Sequence, residues 1–246
     1  MQPQFAEEDV GGTESHVAEA ENLLILLLPR KERLQLKAAC KPVGLLPAHV
    51  LYEPGHRTRY VYFPVQGSVS VLAMIDGSSG VEVGMVGREG MLGAHLALGV
   101  RETPLKALVQ GRGAAWRIEA QAFKRQLAQS PSLQRVVNQY VYVLMTQLAS
   151  AVACQRFHQI SGRLARWLLM SQDRVRSNRF CVTQEFLGTV LGVRRVSITT
   201  AAGALKQRRL IDYRRGELTV LDRPGLETAA CGCYEADQQA YGHQLR

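Results

Sequence analysis

The stretch Thr183–Leu205, TQEFLGTVLGVRRVSITTAAGAL, decides how this chain is read. Thr183 is suited to cap a helix by accepting a hydrogen bond from a first-turn N–H. Phe186, Leu187, Val190 and Leu191 recur at helical spacing, and Gly192 ends the helix. A second helix begins near Arg194, with Ile198, Ala201, Ala202 and Leu205 on its buried side. Two helices joined by a tight glycine-containing turn are the helix-turn-helix signature. In that geometry the N-terminal residues of the second helix face base edges in the major groove of DNA. Arg194, Arg195, Val196, Ser197, Thr199 and Thr200 point away from the buried stripe. Arg195 suits bidentate contact with guanine, Val196 a thymine methyl, and Ser197 or Thr200 a base or phosphate. Two ordinary antiparallel helices with a charged solvent face would carry the same pattern.

The neighbouring segments favour the first reading. Arg163–Leu169 keeps a helical period, and Phe180-Cys181-Val182 reads as a short strand. Downstream, Leu210–Tyr213 and Glu217–Leu221 form a hairpin tipped by Arg214-Arg215-Gly216, the wing of a winged helix, whose arginines suit phosphate. Charge is concentrated here as well. From Arg156 to Arg223 there are 14 Lys/Arg against 5 Asp/Glu, whereas the rest of the chain carries 16 of each. The whole net charge of +9 therefore sits in this segment. Neutralising phosphates releases condensed counterions, so a polyanion is the expected partner. A merely solubilising basic surface is the alternative; a membrane surface lacks the required amphipathic helix.

Upstream the texture differs. Residues 1–20 are polar and acidic and predict a loose tail. Short helical pieces follow from Asn22 and from Pro29 through Ala39. From Pro42 to Ala120 short β-rich runs are cut by glycines: Val50–Tyr52, Tyr60–Phe63, Ser68–Val71, Val81–Val86, and two more between Leu105 and Ile118. Asp76-Gly77 is a hairpin cue. This spacing predicts a small antiparallel barrel or roll, with a sandwich as the alternative. Beyond Ala120, Leu133, Val137, Tyr140, Leu144, Gln147, Ala151 and Cys154 form a heptad seam that starts near Ser130-Pro131. A second apolar row, Val141, Met145, Leu148 and Val152, lies beside it. One row is expected to meet its own domain and the other a second copy; the seam residues are taken as the dimer helix, although both rows could be core.

The fold class expected is α+β: an N-terminal antiparallel β-roll, a long dimerisation helix and a C-terminal winged helix-turn-helix. The boundaries are a tail at 1–21, a roll at 22–120, the helix at 121–155, the winged helix at 156–228 and a tail at 229–246. A composition of 46% hydrophobic and 21% charged residues supports a packed core. The longest apolar run, Leu23–Leu28, is too short to span a bilayer, and no signal-peptide pattern surrounds it, so a cytoplasmic location is expected. Five scattered cysteines give no disulfide framework.

This order of elements resembles the Crp/Fnr family of bacterial transcription regulators, over roughly Leu23 to Glu227. Thr183-Gln184-Glu185, Leu191 to Arg195, Ser197-Ile198-Thr199, Leu210-Ile211 and Arg215-Gly216 carry the resemblance. Tyr52-Glu53-Pro54-Gly55 and Gly67–Val71 resemble the family's sensor domain. The resemblance implies a homodimer on a pseudo-palindromic site in double-stranded DNA, with RNA polymerase as a further candidate partner and a small-molecule effector in the roll. Effector-pocket candidates are Gly93, Ala94, His95, Arg101, Glu102 and Thr103. Cyclic-nucleotide-binding members have a Gly-Glu pair where this chain has Gly93-Ala94, and an Arg-Ser or Arg-Ala pair that Arg101 does not clearly match. A buried phosphate without a fixed cation is costly, so cyclic AMP is not the expected effector. Iron–sulfur members have clustered N-terminal cysteines; that region offers only Cys40.

The remaining constellations predict no cofactor and no metal. Cys231-Gly232-Cys233 with His243 departs from common zinc spacing and reads as surface cysteines in a tail. Cys154 reads as an inert thiol in an apolar seam. His49, His56 and His95 read as ordinary hydrogen-bonded residues. Gly84–Gly93 lacks the ending of a phosphate-binding loop, and no catalytic arrangement stands out, so no enzyme is expected. The competing function is a ligand sensor whose basic domain docks a protein instead of DNA.

Overall fold

Seven short strands, β1 (Lys41–Leu45), β2 (Val50–Tyr52), β3 (Tyr60–Gln66), β4 (Val69–Ala73), β5 (Val81–Val86), β6 (Leu105–Val109) and β7 (Gly113–Glu119), build the N-terminal half in the computed structural model, which describes residues 21–75 and 80–245. The expected tail at 1–20 and the Asp76-Gly77 cue lie outside the described residues. The strands form two antiparallel sheets, ordered β1-β7-β3 and β2-β6-β4-β5. Their alternating apolar residues meet between the sheets, with Leu45, Tyr52, Tyr62, Val69, Val86, Leu92 and Val109 as the filling. This is the expected roll, made as two facing sheets.

Helices cover one side of it. Helix α1 (Leu23–Leu26) is capped by Asn22, whose side chain accepts from the N–H groups of Leu24 and Ile25. Helix α2 (Arg30–Ala38) follows Pro29. The segment expected as one long helix is two: α3 (Ala120–Gln129) and α4 (Pro131–Phe157). The break has a local cause. Ser130 is extended, its Oγ accepts from the N–H of Leu133, and Pro131 occupies the first turn where a missing N–H costs nothing. Leu24, Ile25, Phe63, Phe123, Leu133, Val137 and Tyr140 form one core between these helices and the roll.

That packing corrects the assignment of the dimer helix. Leu133, Val137, Tyr140, Gln147 and Cys154 are buried within their own chain, and Leu144 and Ala151 line partly open clefts of the same chain. Met145, Leu148 and Val152, on the second row, are exposed. A heptad marks a face as apolar but not whose apolar surface it meets; here the roll supplies it.

The C-terminal half comprises α5 (Ile160–Val175), β8 (Arg179–Cys181), α6 (Gln184–Leu191), α7 (Arg195–Gln207), β9 (Ile211–Arg214), β10 (Glu217–Val220) and α8 (Arg223–Ala229). Strands β8, β10 and β9 form a three-stranded sheet in that order. The core here includes Leu164, Leu168, Leu187, Val190, Ile198, Leu205, Ile211, Leu218 and Leu226, and it continues into Leu72 and Met85 of the roll. The segment expected as a C-terminal tail instead forms helix α9 (Cys233–Gln244), which lies back on α4 and α5. Gln147 Nε2 donates to Tyr241 Oη at 3.1 Å, and Arg166 pairs with Asp237 at 2.5 Å. Cys231 and Cys233 are accordingly half-buried rather than tail surface. Among the described residues, no helix is long and apolar enough to cross a membrane.

Candidate nucleic-acid interface

Local sequence builds the two-helix unit as read. Thr183 is extended (φ −90°, ψ 153°) and its Oγ1 accepts from the Phe186 N–H at 3.1 Å, starting α6. Gly192 ends the helix in the left-handed region (φ 63°), where a side chain is disfavoured. The turn is tight enough for the Val193 N–H to bond the Gly188 carbonyl at 2.9 Å. A Cβ at Gly188 would stand 2.9 Å from the Val193 carbonyl oxygen, so glycine is required there. Helix α7 buries Ile198, Ala201, Ala202 and Leu205. Trp167 of α5 packs edge-on against Phe186 of α6, centroids 6.3 Å apart.

The opposite side of α7 faces solvent. Arg194, Arg195, Val196, Thr199 and Thr200 are exposed, Val196 at 75%, and Ser197 is half-buried. Thr199 Oγ1 donates to Gln184 Oε1 at 2.8 Å, and Thr200 Oγ1 to the Val196 carbonyl at 3.2 Å. The wing follows at once. Arg215 (φ 51°) and Gly216 (φ 83°) make the two-residue turn between β9 and β10, the positive pair that a tight hairpin demands. Arg214 is exposed and pairs with Asp212 at 3.1 Å; Arg215 is exposed at the tip. One open groove of about 440 Å³ is bounded by Thr183, Gln184, Glu185, Arg195, Tyr213, Arg215 and Gly216. Gln184, Glu185 and Tyr213 were not named as DNA contacts from the sequence, although the first two carry the family resemblance. The first two were legible as the first turn after the Thr183 cap; Tyr213 joins only because its hydroxyl bonds the Val182 carbonyl at 2.7 Å, drawing β9 to α6.

The winged helix is docked on the roll. Trp167 Nε1 donates to Glu82 at 3.0 Å, and Arg174 pairs with Glu89 at 2.7 Å while donating to the Met85 carbonyl. Arg163 is buried and donates to Gln155 and to the Leu191 carbonyl. Burial raises the Glu82 carboxyl to about 7, although Ser70, Arg166, Arg174 and Trp167 all pull the other way.

A separate cavity of about 240 Å³ lies between the roll and α4. Gly93, Ala94, His95 and Thr103 line it with Tyr52 and Leu144. Arg101 and Glu102 are exposed and lie outside its lining. Among the described residues His95 is its one imidazole; Nε2 lies 2.8 Å from Thr58 Oγ1, and burial lowers its pKa, with Lys124 adding. Among the described residues, no Lys, Arg, Asp or Glu lines this cavity.

Comparison with known proteins follows the same division. Residues 162–229 match the family model described as the Crp-like helix-turn-helix domain. Among solved structures, FixK2 from Bradyrhizobium japonicum superposes with a TM-score of 0.66 at 12% identity, covering 78% of this chain and 98% of that one. A transcriptional regulator of the CRP family from Thermus thermophilus gives 0.63 at 17% identity, covering 83% and 98%. The c-di-GMP-responsive global regulator CLP of Xanthomonas campestris gives 0.63 at 14%, covering 78% and 99%. Compared by sequence with curated proteins, the chain finds no match. Residues 162–229 thus belong to the Crp-like helix-turn-helix family, and the chain as a whole has the fold of Crp/Fnr regulators.

Proposed function

We propose that this chain regulates transcription as a homodimer that reads a pseudo-palindromic site in double-stranded DNA. One observation carries the reading: α7 buries its apolar side and leaves Arg194, Arg195, Val196, Thr199 and Thr200 open beside the arginine-tipped wing. Arg195 lies in the groove between helix and wing and is the principal base-reading residue; Thr183, Gln184, Arg214 and Arg215 meet phosphates. The exposed row Met145, Leu148 and Val152 joins two copies along α4. Leu148 also borders the roll cavity, so a second copy would close its mouth. Two reading heads would then sit about 34 Å apart, one DNA turn.

The effector reading follows from the cavity walls. They are mainly apolar and, among the described residues, carry no fixed cation, so a small, weakly polar molecule fits better than a cyclic nucleotide phosphate.

Selection of bound duplexes from random DNA, followed by titration of the selected site, tests this. Enrichment of a two-fold repeated motif is expected, with affinity falling steeply as salt rises. Arg195→Ala is expected to cost about 1–3 kcal/mol and relax one position of each half-site. Failure to enrich any motif, or binding insensitive to salt, would point instead to a protein-docking role.

A further inference from the structure

Four metal-binding side chains converge where α4 hands over to α5. Cys154 and His158 stand one helical turn apart, on the last turn of α4 and at its C-cap. Cys231 and Cys233 flank Gly232 where α8 leads into α9. One ligand atom from each lies within 4.8 Å of all the others. Cys154 Sγ and Cys231 Sγ are 3.5 Å apart, and Cys233 Sγ is 3.5 Å from His158 Nδ1. In a tetrahedral zinc site, bonds of about 2.3 Å to sulfur and about 2.0–2.1 Å to nitrogen put neighbouring ligand atoms about 3.5–3.8 Å apart. Two of the observed spacings already match, and the others, all within 4.8 Å, need to close by no more than about 1 Å. His243, the histidine closest in sequence to the Cys-x-Cys pair, is exposed near the end of α9 and takes no part.

A cation adjoins the sulfur cluster. Arg166 Nη1 donates to Cys154 Sγ at 3.7 Å. Three thiolates and an imidazole around a divalent ion leave one negative charge, and Arg166, also paired with Asp237, lies beside it.

We propose that Cys154, His158, Cys231 and Cys233 bind one zinc-class divalent cation in a closed Cys3His tetrahedron. All four positions are filled by protein, the arrangement of a structural rather than a catalytic site. The ion clamps the end of α4 to the segment closing the winged helix. Because the Cys231 N–H also donates to the Gly162 carbonyl of α5, it holds the α4–α5 junction at His158-Gln159 as well. Metal loading would thereby set the angle between the reading head and α4.

The test uses the full chain, prepared anaerobically in reductant, stripped with chelator and titrated with Zn²⁺ or Co²⁺ alone. One zinc per chain, and the intense visible absorption of tetrahedral thiolate-bound cobalt, are expected. Cys233→Ser and His158→Ala should abolish that spectrum, while Cys40→Ser and Cys181→Ser keep it. Zinc should raise the melting temperature of the wild type and not of Cys233→Ser. Zinc uptake far below one per chain overturns the proposal, as does a six-coordinate cobalt spectrum or one that survives Cys233→Ser. A Cys154–Cys231 disulfide persisting in the reduced chain would also overturn it. These readouts need no DNA, so they stand or fall apart from the regulator reading.

Discussion

Along α4 two apolar rows run side by side with opposite fates. Tyr140 and Val137 are fully buried against Phe63 and Phe123, whereas Met145 is 62% and Val152 72% exposed. Hydropathy alone cannot distinguish them, because both rows are apolar at helical spacing. What separates them is which surface is already present on the same chain. The roll and α3 cover one row and leave the other exposed, and the heptad, the more regular of the two, turned out to be the inward one.

The largest effect expected from that contrast is on the inward row. Tyr140→Ala should lower stability by about 3–5 kcal/mol in urea denaturation, since a large ring leaves a cavity in a closely packed core. A loss under about 1 kcal/mol would mean the row is not core. On the outward row, Met145→Glu with Val152→Glu should leave circular dichroism and monomer stability nearly unchanged. Sedimentation should show a monomer, and affinity for a two-fold DNA site should fall about 100-fold as the two heads lose their linkage. An intact dimer would remove this row from the interface.

Where the inward row ends, Gln147, Ala151 and Cys154 share a narrow cleft with Glu82, Arg163 and Trp167. Here the contrast becomes one of charge. Burial raises the folded pKa of Glu82 to about 7 from 4.5, so the folded chain holds this proton more tightly than the unfolded one. Its contribution is most favourable below pH 4.5 and is lost as pH climbs to about 7. Glu82 is only half-buried, so the effect is discounted for solvent screening. Glu82→Gln should therefore gain about 1–2 kcal/mol over the wild type on going from about pH 5 to about pH 8 in urea midpoints. A difference independent of pH would show that the carboxylate is already ionised in the folded chain. The smallest change expected is in the reading head: Thr183→Ala should cost about 1 kcal/mol through loss of the α6 cap, with Arg195 contacts kept.

The reading head was largely legible because its signals are local. Thr183, Gly188, Gly192 and the stripe Ile198–Leu205 act within a few residues of themselves, and so does the Arg215-Gly216 turn. The roll was legible in kind, as short alternating runs, but whether its strands made a barrel or facing sheets depends on pairings such as β1 with β7, which join residues far apart in sequence. The residues named around the roll divide between cavity wall and exposed loop for the same reason. Gly93 to His95 are fixed by a local helical turn on the cavity wall, while Arg101 and Glu102 lie in a loop whose direction no local rule sets.

By itself the sequence determined the caps, turns and apolar stripes of the winged helix, and the location of the excess positive charge. Those follow from backbone geometry and side-chain chemistry over a few residues. Only the tertiary structure decided which side of α4 faces inward, that the presumed tail is a packed helix, and that Cys154 and His158 meet Cys231 and Cys233 across more than seventy positions. Such encounters depend on how whole elements pack to cover apolar surface, a condition that no local stretch of residues encodes.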